Sequence, residues 1–68
     1  MTFYILLGLE TYGRDDVFLK AFDHLPTLEE RRAANFESEQ FYAVRVVQQN
    51  PNGTEIEVLA KEVHWSPV

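Results

Sequence analysis

The chain has 68 residues, no cysteine and a formal net charge of −5 at pH 7. A chain of this length folds as one domain with a small core, and the lack of cysteine excludes disulfides, thiolate zinc sites and cysteine nucleophiles. The acidic balance opposes non-specific binding to nucleic acid phosphates and anionic membranes, because the six basic residues are scattered along the sequence.

The first segment, from Thr2 to Tyr12, is rich in aromatic and branched residues and is apolar on both faces of a pleated strand. Such a strand belongs in the middle of a sheet. Its apolar run ends at Glu10, is too short to span a bilayer and lacks the basic region of a targeting signal. We therefore expect no membrane contact and a cytoplasmic protein. Residues 12–15 are typical of a turn.

The segment from Asp16 to Asp23 is compatible with two structures. As a strand, the segment would form a hairpin with the first strand. As a helix, it would place its polar residues on one side of the helix. Periodicity over eight residues cannot separate the two. The turn before the segment and a new start signal after it favour the strand, and the helix remains the alternative.

A helix is predicted to begin near Leu28. Pro26 favours an extended residue before it, Thr27 can cap the first turn with its hydroxyl, and Glu30 completes a capping box. The helix is expected to end at Asn35 or at Ser38.

This helix is weakly amphipathic. Leu28 and Phe36 lie on one face of it, and Arg32 projects between them. We expect the helix to make few apolar contacts through this face, with the arginine stem covering part of the core edge. Tertiary packing must therefore stabilise it.

Residues 40–49 and 54–65 are predicted to form a hairpin. Residues 50–53, Asn-Pro-Asn-Gly, suit a type I turn followed by a left-handed glycine and a G1 bulge. If Asn50 pairs with Thr54, the expected partners on one face are Val46 with Val58, Val44 with Ala60, and Gln48 with Ile56. A one-residue slip would mix polar and apolar faces and is disfavoured.

These elements predict a single α+β domain, a four-stranded antiparallel sheet with one helix in the order ββαββ, or βααββ in the alternative. One short helix can cover only one face of such a sheet, and we assign it to the side of Val44 and Val46. The large apolar residues expected on the uncovered face are Tyr4, Leu6, Phe18, Phe22, Phe41, Leu59 and Trp65.

The uncovered face is the candidate interaction surface, because exposed apolar patches usually mark interfaces. Arg45 lies diagonal to Glu57 in the predicted hairpin, which indicates a cross-strand ion pair within this surface. The expected partner is another protein or a second copy of the chain in a homodimer. The residues assigned to the interaction site are Phe41, Arg45, Glu57, Leu59, Lys61 and Trp65.

No stretch of the sequence carries the spacing of a catalytic or metal site. His24 and His64 are forty residues apart, so a metal site at either one would depend on the fold to add a ligand such as Asp23 or Glu62. Isolated histidines of this kind are more often structural or surface residues than metal ligands. We expect no enzyme activity, cofactor or metal, and the acidic balance disfavours the aromatic residues as a nucleic acid platform.

The segments YILLGLETYG, DVFLKAF, LPTLEERR and FYAVRVV, in that order, resemble the short ββαββ orphan proteins of phages and prophage regions. The resemblance is one of pattern and covers most of the chain. It implies a protein that binds and redirects a host protein. A rival hypothesis is an acidic inhibitor that mimics nucleic acid and presents Glu29, Glu30, Glu37 and Glu39.

Overall fold

The computed structural model describes residues 1–10, 16–38 and 40–65. Its four strands form one antiparallel sheet in the order β2-β1-β3-β4. The elements are β1 (Phe3–Leu9), β2 (Val17–Phe22), α1 (Leu28–Phe36), β3 (Ala43–Gln49) and β4 (Glu55–Val63). The predicted α+β class and ββαββ order are confirmed, and β2 is a strand rather than the alternative helix. The predicted turn at 12–15 lies outside the described residues.

β1 occupies a central position in the sheet, as its two apolar faces predict. Leu6 of β1 pairs with Val46 of β3, so the two side chains share a face of the sheet. They form the buried core together with Phe22 and Val44. This core is small, as expected for a chain of 68 residues.

α1 begins at the predicted cap. The Glu30 backbone N–H donates to Thr27 Oγ1 at 3.2 Å, and the Thr27 backbone N–H donates to Glu30 Oε1 at 3.0 Å. This reciprocal pair is the capping box expected from the sequence, and the helix begins at Leu28 as predicted.

α1 faces the sheet with a different side from the predicted one. Leu28 and Phe36 are both exposed, so the expected contact through their shared face is wrong. Ala34 packs against the core instead, Asn35 is buried, and Arg31 is half-buried. Polar side chains therefore carry much of the contact between helix and sheet, which a search for an apolar stripe does not detect.

The turn between β3 and β4 has the predicted geometry. The Asn50 N–H donates to the Thr54 carbonyl at 2.9 Å, and the Gly53 N–H donates to the Asn50 carbonyl at 3.0 Å. Gly53 has a φ of 88°, in the left-handed region. Gln48 pairs with Ile56 as expected.

The register beyond this point differs from the prediction because the ladder is irregular at two places, between Val46 and Val47 and between Val44 and Val46. Bulges are frequent in edge strands such as β4, where they blunt pairing with other chains. The expected partners Val58 and Ala60 are therefore wrong. The observed pairs are Val46 with Leu59 and Val44 with Glu62.

Replacing Gly53 with valine is expected to lower the free energy of unfolding by about 1–2 kcal/mol, because a β-branched residue is strained at positive φ. A Cβ at this position would have no atom within 4 Å, so the loss would come from the backbone alone. Gly53→Asn is the control and should lose less, since asparagine tolerates this conformation. Urea unfolding measures both variants, and equal losses would contradict the backbone explanation.

Candidate functional site

The sheet has one face that α1 does not cover. Leu6 points toward α1, and successive residues of a strand point to opposite faces, so Ile5 and Leu7 point away from the helix. Their register partners lie beside them. We name this surface the open face and define it by Phe3, Ile5, Leu7, Leu9, Phe18, Ala21, Ala43, Arg45, Val47, Gln49, Glu55, Glu57 and Val63. Within this set Ala43 and Val47 are themselves buried.

The prediction assigned the wrong side of β1 to the uncovered face. Leu6 and Phe22 belong to the buried core, and Tyr4 packs against it. Both sides of β1 are apolar, so the sequence does not indicate which side joins Val46 under the helix. The register between β1 and β3 makes that choice. Among the uncovered aromatic residues expected from the first hairpin, Phe18 does lie on the open face.

Three predicted site residues lie elsewhere for local reasons. Phe41 is buried, because β3 begins only at Ala43 and the strand alternation does not extend back to it. Leu59 packs against the core, since the β4 irregularities change the face on which it falls. Trp65 follows the end of β4, is half-exposed, and donates from Nε1 to the Gln40 carbonyl at 2.9 Å.

Arg45 and Glu57 lie on the open face, and their predicted contact is confirmed. Arg45 Nε lies 3.0 Å from Glu57 Oε2, although its N–H is not aligned for a hydrogen bond. The other side of the guanidinium donates from Nη1 to the Asp16 carboxylate. Sequence reasoning missed Asp16 as a partner, because 29 residues separate it from Arg45 and only the fold brings them together.

Lys61, the remaining predicted site residue, makes a different contact. Its Nζ lies 5.1 Å from the centroid of the Tyr42 ring, a cation–π geometry. Two of the six predicted residues, Arg45 and Glu57, therefore lie together on the open face.

A shallow hollow of about 250 Å³ lies on the open face. Its floor is apolar and its rim carries charged groups. The lining residues are Ile5, Leu7, Asp16, Arg45, Val47 and Glu55. An apolar side chain of a partner can enter such a hollow while polar groups of the same partner contact the rim.

A polar network joins α1 to β4 on the opposite side of the sheet. Asn35 Nδ2 lies 2.9 Å from His64 Nδ1, and His64 Nε2 lies 2.7 Å from Glu62 Oε1. Because the amide nitrogen is a donor, Nδ1 must accept, and Nε2 then donates its hydrogen to the carboxylate. Both ring nitrogens are therefore engaged within the protein. His64 thereby links α1 to the end of β4.

The pKa of the Glu62 carboxyl lies below its ordinary value of 4.5, chiefly because the Arg31 guanidinium hydrogen-bonds to both of its oxygens. A lowered pKa stabilises the fold above pH 4.5, and the stabilisation is lost as the pH falls through the folded-state pKa. We expect Glu62→Gln to lower the free energy of unfolding by about 1–3 kcal/mol at pH 7, and this difference from wild type to shrink below pH 4.5.

Urea titrations of wild type and Glu62→Gln between pH 3 and pH 7 measure this difference. Glu29→Gln, at an exposed position of α1, is the matched control and should change stability by less than about 0.5 kcal/mol. A difference between wild type and Glu62→Gln that stays constant with pH would contradict the assignment.

His24 forms a second polar cluster, at the start of α1. Its Nδ1 lies 2.8 Å from Asp23 Oδ1 and its Nε2 lies 2.8 Å from Glu30 Oε2. These two hydrogen bonds raise the pKa of His24, and the one to Asp23 has the larger effect. Within residues 1–10, 16–38 and 40–65, no group of three or more acidic, histidine or cysteine residues is arranged to hold a metal ion.

The acidic surface proposed for a nucleic acid mimic is partly engaged within the protein. Glu30 is bound to the Thr27 amide and to His24, and Glu39 lies outside the described residues. The adjacent Arg31 is held by Glu62. No specific observation therefore favours the mimic over the open face.

A second hollow, of about 190 Å³, lies at the C-terminal end of α1 between Phe36 and Trp65. Its wall includes Asn35 and His64, which belong to the polar network.

In the described part of the chain, no helix is long and apolar enough to cross a membrane. Comparison with protein-family models, with curated proteins and with solved structures found no match to this chain.

Proposed function

We propose that this chain is a non-enzymatic protein-interaction module that binds another protein through the open face. The observation that carries the proposal is the apolar surface that α1 leaves uncovered, on which Phe18 is 60% exposed and Phe3 is 40% exposed. Contiguous apolar patches on a small domain usually mark interfaces. A partner would remove this surface from water and gain about 25 cal/mol for each Å² of apolar area buried.

The composition of the open face supports the proposal. Aromatic residues and arginine are the types that most often dominate binding energy at interface centres. Arg45 is fixed between Asp16 and Glu57 on a rigid sheet, so little side-chain freedom would be lost when a partner binds. A protein of a host cell as the partner is compatible with the resemblance to short phage proteins.

The test compares two exposed phenylalanines. Phe18→Ser changes the open face, whereas Phe36→Ser changes the exposed surface of α1 and serves as the matched control. We expect proteins captured from the source cell by wild type and by Phe36→Ser to be lost with Phe18→Ser. A captured partner, once purified, should bind Phe18→Ser at least tenfold more weakly in a calorimetric titration.

Both variants should retain the melting temperature of the wild type within a few degrees, because the altered side chains are exposed. A partner that binds all three proteins equally would contradict the proposal, as would one lost only with Phe36→Ser. Sedimentation of wild type over a range of concentrations determines whether a second copy of the chain occupies the face.

A further inference from the structure

We infer that the occupant of the open face is a cationic apolar segment of another protein, in which lysine or arginine alternates with aliphatic residues. The inference rests on the proposed function and adds the chemistry of the partner. It combines two observations, the shape of the hollow and the charges around it.

The hollow provides an apolar floor on neighbouring strands. Ile5 and Leu7 of β1 lie beside Val47 of β3, and all three belong to its lining. Its volume is about 250 Å³. A cavity of about 150 Å³ is enough for benzene, so an aliphatic side chain of a partner can enter this hollow.

The charges around this floor are predominantly acidic. Asp16, Glu55 and Glu57 contribute three carboxylates, and Arg45 contributes one guanidinium, which leaves a local charge of −2 among the described residues, three negative against one positive. Arg45 is already engaged by two of the carboxylates. Lys61, the cation of β4, lies over the Tyr42 ring instead.

This distribution favours a cationic partner over a second copy of the chain. If two open faces came together, the carboxylates of one copy would lie opposite those of the other. Repulsion between like charges is strongest in an interface that excludes water. The net charge of −5 on each copy adds long-range repulsion. Lysine or arginine side chains would instead meet the carboxylates, while neighbouring aliphatic side chains cover the apolar floor.

Three synthetic hexapeptides of equal length test the inference. Each is capped at both ends and alternates leucine with lysine, serine or glutamate. We expect the leucine–lysine peptide to bind most tightly, with chemical-shift changes at the backbone amides of Leu7 and Val47. Its affinity should fall as salt rises from 50 to 500 mM, because the attraction is partly electrostatic.

Charge variants locate the attraction. The double variant Glu55→Gln/Glu57→Gln should weaken binding of the leucine–lysine peptide about tenfold, since each exposed ion pair contributes a few-fold in affinity. Asp16 remains in place to hold Arg45. The control is Glu29→Gln/Glu37→Gln, in the first turn and at the C-terminal cap of α1. It makes the same change in net charge and should keep the affinity within about twofold.

Several outcomes would overturn the inference while leaving the open face as an interface. A leucine–serine peptide that binds the open face as tightly would remove the role of charge. Equal weakening by the α1 control would indicate general attraction to an acidic protein. A wild-type dimer that protects Leu7 and Val47 from hydrogen exchange would make a second copy the occupant.

Two further results overturn the inference and differ in their meaning for the proposed function. If no peptide binds while Phe18→Ser still abolishes partner capture, the face is an interface for a partner of different chemistry. If no peptide binds and Phe18→Ser also leaves capture unchanged, both the inference and the proposed function fail.

Discussion

Replacing Gly8 with valine is expected to lower the free energy of unfolding by about 3 kcal/mol, at the upper end of overpacking effects. A Cβ at position 8 would lie 2.6 Å from Phe41 Cγ and 2.8 Å from Phe41 Cε2. The Cγ atom is the fixed end of the ring, so a small rotation of the side chain cannot relieve the overlap. Phe41 is only 5% exposed, and the ring would have to leave the position that it fills.

Thermal and urea unfolding measure the effect of Gly8→Val. Ala21→Val, at an exposed position of the neighbouring strand β2, is the matched control and should be nearly neutral. The double variant Gly8→Val/Phe41→Ala should lose at least about 1 kcal/mol less than the sum of its single variants, since the smaller side chain makes room. Strict additivity would show that Gly8 and Phe41 do not restrict each other.

Replacing Asn35 with leucine is expected to lower the free energy of unfolding by about 3–5 kcal/mol, because several buried polar groups would lose their partners at once. Asn35 is 3% exposed. Its Oδ1 accepts from the Phe41 N–H at 2.7 Å, and its Nδ2 donates to the Phe41 carbonyl at 2.7 Å and lies 2.9 Å from His64 Nδ1. Leucine has a similar size but can make none of these bonds.

Ala33→Leu is the matched control, since it introduces the same residue at an exposed position of α1 and breaks no side-chain hydrogen bond. It should change stability by less than about 0.5 kcal/mol. Hydrogen exchange adds a local measurement, because the Phe41 amide should exchange much faster in Asn35→Leu. An Asn35→Leu protein with unchanged stability and unchanged Phe41 exchange would contradict the role assigned to this amide.

Sequence by itself determined the features that depend on neighbours along the chain. Thr27 and Glu30 form the capping box because their spacing places each side chain at the other's amide. Gly53 takes the left-handed position because the turn requires it. The segment of β1 is apolar on both faces, which predicts its central place in the sheet. The ββαββ order follows from the order of these local signals along the chain.

Only the tertiary structure decided which residues form the candidate site. Both faces of β1 are apolar, so its own sequence does not decide that Leu6 joins the core and Leu7 the open face. That choice depends on the pairing of Leu6 with Val46 of β3, which lies forty residues later in the sequence. The contact between Asp16 and Arg45 likewise depends on the fold. Periodicity carries no information about partners so distant in sequence.

The open face itself was predicted from coverage, since a helix of nine residues cannot cover both faces of a four-stranded sheet. Arg45 and Glu57 were assigned to it correctly, because both lie close to the turn that sets the register. Leu59 was assigned wrongly, because the irregularity between Val46 and Val47 lies between its pairing position and the turn. A bulge changes the face of the residues that follow it until a second bulge reverses the change. The position of a bulge depends on how an edge strand packs rather than on its own sequence pattern.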